Sequence, residues 1–124
     1  MRRGAFILTL AVVLSACGSS TKTYTLSKTR ACLVRHGASI DGKLDFVAST
    51  ATGGAFRAHL SGNFVTVVFG ETVTDADNIG DAYRRFRGAN VGIDDVLRQQ
   101  SNAVMLWHAH PSSSQDAAVT SCLS

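Results

Sequence analysis

The stretch from Ala55 to Phe69 carries the most regular pattern in the chain. Phe56, Ala58 and Leu60 alternate with Arg57 and His59, the two-residue period of a strand with one buried face. Ser61-Gly62-Asn63 supplies a turn, and Phe64 to Phe69 continues β-branched and aromatic, so the segment predicts a hairpin. Its second strand is apolar on both faces and is expected inside a sheet or covered on both sides. Ala76, Ile79, Tyr83 and Phe86 recur three or four residues apart, which predicts an amphipathic helix. Thr74 is its expected N-cap, with Asp75 and Asp77 set against the helix dipole and Gly88 as its end. Gly80 costs about 1 kcal/mol relative to alanine inside a helix, a cost that a closely approaching backbone would explain. Ala103 to His108 predicts a buried strand, stopped by Pro111, and Ser112 to Ser114 cap a last helix over Gln115 to Cys122.

The shorter segments say less. Arg30 to Arg35 is a brief apolar run and predicts a strand, ended by His36-Gly37, with a turn at Asp41-Gly42. Asp45 to Thr52 suits a short helix with Asp45 as N-cap, although Thr50 and Thr52 suit a strand equally; Gly53-Gly54 favours the helix as its terminator. Asp94 to Gln99 adds a turn or two of helix, with Val96 and Leu97 pointing inward. The resulting order resembles the βαββαβ order of ferredoxin-like domains. It implies a single α+β domain over 29–124, with helices on one face of an antiparallel sheet and a C-terminal helical tail. The competing arrangement is an antiparallel α+β sandwich in which residues 43–50 form a strand.

The N-terminus carries information of another kind. Arg2 and Arg3 precede an apolar run, Ala5 to Leu14, broken only by Thr9, and a polar tract follows Cys17. That is the layout of a secretory signal peptide, and the run is shorter than the roughly 20 residues a membrane-spanning helix needs. Leu14-Ser15-Ala16-Cys17 resembles the lipobox of the small lipoproteins of bacterial envelopes. The resemblance implies a signal peptide over residues 1–16, lipidation of Cys17, and a lipid-anchored, extracytoplasmic mature protein on a flexible tether, residues 17–28. Gly18 after the cysteine resembles the signal for release to the outer membrane, where the cell has two membranes.

Charge and cysteine content follow from that expectation. The chain has 12 Lys+Arg against 9 Asp+Glu. Removal of Arg2 and Arg3 leaves ten against nine, so the mature domain is nearly neutral. Arg84, Arg85 and Arg87 interleave with Asp75, Asp77 and Asp81, a solvated mixed-sign helix face and not the concentrated basic surface that nucleic acid requires. With Cys17 lipidated, Cys32 and Cys122 remain as one pair, and an oxidising compartment favours a disulfide between them.

Candidate chemistry is sparse. His108 and His110, two residues apart at a strand end, point the same way and could share a metal ion, but a site needs further ligands. Ser112, His108 and Asp116 lie close in sequence without a nucleophile elbow or an oxyanion-hole motif around them. Ala51 to Ala55 lacks the Gly-Lys-[Ser/Thr] ending of a phosphate loop, and Trp107 is expected in the core. No catalytic residue and no cofactor is assigned. The function expected is a non-catalytic binding or structural module of the envelope, held to the membrane by its lipid and contacting a protein, glycan or small ligand. A metal-binding module using His108 and His110 is the first alternative, and a small hydrolase the second.

Overall fold

The computed structural model describes residues 22–86 and 92–124. The expected signal peptide, Cys17 and the first part of the expected tether lie outside the described residues, as does Gly88. Ten elements follow one another: α1 (Leu26–Arg35), β1 (Ser39–Asp41), α2 (Phe46–Ser49), β2 (Ala55–Leu60), β3 (Asn63–Phe69), α3 (Val73–Phe86), α4 (Ile93–Val96), β4 (Leu97–Gln100), β5 (Ala103–Trp107) and α5 (Ser113–Cys122). The strands form one five-stranded sheet in the order β1-β2-β3-β5-β4, and every neighbouring pair is antiparallel.

The central hairpin stands as its pattern predicts. Ser61 and Gly62 both have positive φ, 46° and 79°, the conformation of a two-residue turn whose twist matches the strands it joins. β3 is buried at every position but Phe64, because both its faces are covered. Val65, Val67 and Phe69 pack on one side with Phe56, Ala58, Met105 and Trp107, against Leu33 of α1 and Val119 and Cys122 of α5. Val68, Val104 and Leu106 pack on the other, against Val47 and Ala48 of α2 and Ala76 and Tyr83 of α3. Helices therefore cover both faces, which corrects the expected one-sided arrangement. The antiparallel sheet stands as expected, but the ferredoxin-like order does not: the chain begins with a helix, and five strands lie in the order β1-β2-β3-β5-β4.

Two elements differ in kind from the expectation. Arg30 to Arg35 belongs to helix α1. Thr29 and Leu33, four residues apart, are its buried pair, and that period prevails over the local apolar run. Leu97 to Gln100 is an edge strand pairing with β5, where a continued helix was expected. At residues 45–52 the helix prevails over the strand: Asp45 caps α2, its Oδ1 accepting from the Ala48 N–H at 2.9 Å. Gly53 behind it is sterically required, because a Cβ there would lie 2.6 Å from the Phe69 carbonyl oxygen. The cap of α3 is Thr72 and not Thr74. Thr72 Oγ1 accepts from the Asp75 N–H, and Asp75 Oδ2 accepts from the Thr72 N–H, a reciprocal box. α5 begins with a capping box of Ser112 and Gln115.

The anticipated pair of cysteines is joined, Cys32 to Cys122 with the sulfurs 2.08 Å apart, and it clamps α1 to α5. Closing a loop with a sequence separation of 90 residues restricts the unfolded chain by about 4–5 kcal/mol in the chain-entropy account. Tyr24 is hydrogen-bonded into the domain and α1 begins at Leu26. Tyr24 donates its N–H to Asn102 Oδ1 at 2.6 Å, and Asn102 Nδ2 donates to the carbonyls of Tyr24 and Gly70 at 2.9 and 2.7 Å. The chain thus enters the domain at the β4–β5 turn, beside the end of β3. No helix among the described residues is long and apolar enough to cross a membrane.

Candidate ligand-binding site

The second face of the sheet is only partly roofed by α2 and α3. Strand alternation places Arg57 and His59 of β2, Phe64 and Thr66 of β3 and Leu106 of β5 on this face, with His108 just beyond β5. The half bearing Val68 and Val104 lies under the helices, while Phe64 is half-exposed and His59 and His108 are exposed. A cavity of about 280 Å³ opens there, lined among others by Lys43, Asp45, Arg57, Phe64, Thr66 and His108.

Phe64 is the centre of this surface. The His108 ring stacks on it at 4.3 Å between centroids and 19° between planes. The Arg57 guanidinium lies 4.7 Å from the Phe64 centroid, within cation–π range, and the His59 ring is 5.5 Å away. These groups come from the strands on either side of β3, so their alignment depends on sheet register: His59 opposes Phe64, and the His108 N–H donates to the Phe64 carbonyl.

Asp41 at the end of β1 anchors the polar rim. Arg57 Nε donates to Oδ1 at 3.0 Å and Nη2 to Oδ2 at 2.8 Å, a two-pronged pair. His59 Nε2 lies 2.8 Å from Oδ2, and since a carboxylate only accepts, that nitrogen carries the proton. The Arg57 hydrogen bonds first, then that of His59, with a smaller contribution from the Lys43 N–H, hold the Asp41 carboxyl far below the usual carboxylate range. Arg57 is thereby fixed over Phe64 and its charge largely balanced. Ser39 opposes His59 across the β1–β2 ladder, and Asp41 serves Arg57 as much as His59.

The residues singled out from the sequence have separate surroundings. His108 stacks on Phe64, whereas His110 Nδ1 lies 2.8 Å from Asp95 Oδ1. Among the described residues no third donor gathers with the two histidines; the one cluster of potential ligands is Cys32, Cys122 and His36, and its sulfurs are bound to each other. Ser112 is the cap of α5, its hydroxyl accepting from the Gln115 N–H, and Asp116 Oδ1 is buried with no partner among the described residues. Trp107 is fully buried in the core, as expected. Arg84 faces Asp81 and Asp94 at 3.6 and 3.3 Å, the mixed-sign surface its sequence implies. Arg57, Phe64 and Asp41 escaped the sequence reading as site residues. The available signal was the Arg57/His59 alternation on one strand face, which says nothing of its partner Asp41 sixteen residues earlier.

No family model, no curated protein and no solved structure matches this chain.

Proposed function

We propose that this chain is a lipid-anchored, extracytoplasmic binding module that presents a small ligand or glycan site on the end of its sheet facing away from the membrane. The observation carrying the binding reading is the Arg57–Phe64–His108 cluster beside its cavity, on a part of the sheet that the helices leave open. A flat aromatic surface with a few fixed polar groups around it is the ordinary composition of a small-molecule site. Ion pairing and sheet register hold the donors in place before any ligand arrives, which reduces the ordering cost of binding.

Position supports the anchored reading. The chain enters beside Gly70 and Asn102, while Phe64 lies six residues back along an extended strand, about 20 Å away. Lipid at Cys17 would hold the entry end near the bilayer and leave the Phe64 end facing the envelope space. Two or more acyl chains, at about 0.8 kcal/mol per buried CH₂, retain a protein that one chain holds only marginally. The disulfide supports export, because such bonds persist in oxidising compartments.

Fractionation of expressing cells tests the anchor. Wild type is expected in the detergent-soluble membrane fraction and Cys17→Ala in the soluble fraction. A Cys17→Ala chain still held in the membrane fraction would overturn the anchor.

A further inference from the structure

A second cavity, of about 380 Å³, adjoins the first at Asp45 and is lined by Asp45, Phe46, Val47, Tyr83 and Phe86. We infer that it binds a small soluble organic cation of the alkylammonium class. The inference goes beyond the anchored-module reading and does not depend on where the protein resides.

Three observations carry it. Phe46 and Phe86 are 74% and 71% exposed, unusual for large apolar side chains that come from two different helices and meet. Their centroids are 6.3 Å apart and their planes cross at 78°, so the two rings form a corner, and Tyr83 supplies a third aromatic ring. The polar group in this lining is a carboxylate: Asp45 accepts the Tyr83 hydroxyl at 2.8 Å on Oδ2 and the Ala48 N–H at 2.9 Å on Oδ1. Among the described residues no lysine or arginine lines the cavity.

Aromatic faces attract cations through the ring quadrupole, and clusters of such rings are the usual recognition surface for alkylated ammonium groups. A carboxylate at the edge adds charge complementarity. An anionic ligand meets repulsion from Asp45, and a purely apolar one leaves the carboxylate's remaining acceptor positions unused. The carboxylate is held by its role as the α2 cap and by Tyr83, so it stands in place before the ligand enters.

The test uses the full chain in a maltoside detergent, which carries no ammonium group. Choline and its neutral isostere 3,3-dimethyl-1-butanol are titrated while the ring resonances of Phe46 and Phe86 are followed. Choline is expected to bind at least about fivefold more tightly than the isostere, the range of a cation–π contribution. Phe86→Leu, at an exposed position, and Asp45→Asn, which keeps a competent N-cap, are each expected to weaken choline threefold or more while leaving the isostere unchanged. Equal binding of the two compounds, no response to either, or variants that bind choline as wild type does would each overturn the inference.

Discussion

Asp41 shows how much of the site rests on one carboxylate. It holds Arg57 over Phe64 and fixes the proton of His59. Its carboxyl is lowered in the folded state, chiefly by Arg57, so its contribution to stability is present above the unfolded value of about 3.9. That contribution is lost as pH falls below this value toward the lower folded one. Urea titrations of wild type and Asp41→Asn are expected to differ at neutral pH and to converge progressively below about pH 4. A gap that stays constant through the acid range would contradict the pairing. Asp41 was legible only as a turn residue. Its strand is three residues long, too short for any period, and its partners lie sixteen and eighteen residues away. Asp45 was different: a local cap followed by an apolar pair and two glycines, and every contact needed to read the cap lies within three residues.

At the scale of elements, local signals were readable and nonlocal ones were not. The hairpin, α2 and α5 each carry their own turn or cap chemistry. α1 was misread because one of its buried residues is Thr29, a polar residue that breaks the apparent period and leaves the run around Cys32 and Leu33 resembling a strand. β4 was missed because Leu97-Arg98-Gln99-Gln100 shows no apolar alternation; it is an edge strand defined by its pairing with β5. Gly80 has a related lesson. A Cβ there would meet the far end of the Arg84 side chain at 3.4 Å and Gln99 Oε1 at 3.9 Å, both flexible, and among the described residues no backbone outside the helix comes within 4 Å. Gly80→Ala is therefore expected to stabilise the protein by about 0.5–1 kcal/mol, the usual helix-interior difference, measured as a shift of the urea midpoint. Destabilisation would indicate a tighter α3–β4 contact than these distances allow.

For the molecule as a whole, the sheet separates two ends with different residues. One end receives the chain through Tyr24, Asn102 and Gly70; the other carries Phe64, His108 and the Asp45 cavities. The helices on opposite faces are joined through the sheet's two cores, and the Cys32–Cys122 bond fastens α1 to α5 across nearly the full length of the domain. Chain length and cysteine count anticipated that bond, because a small domain gains much from a covalent closure. They could not anticipate that it would link two helices, which depends on how both pack against one sheet face. On the proposed anchoring, a lipid at Cys17 would sit at the entry end and leave the candidate sites facing away from the bilayer.

Intact-mass spectrometry of the chain purified from its native membrane, before and after reduction, tests the central claim most directly. The account predicts a polypeptide beginning at a fatty-acylated Cys17, with a two-hydrogen mass gain on reduction of Cys32–Cys122. An unmodified chain that retains Met1 and shows no mass change on reduction would contradict it.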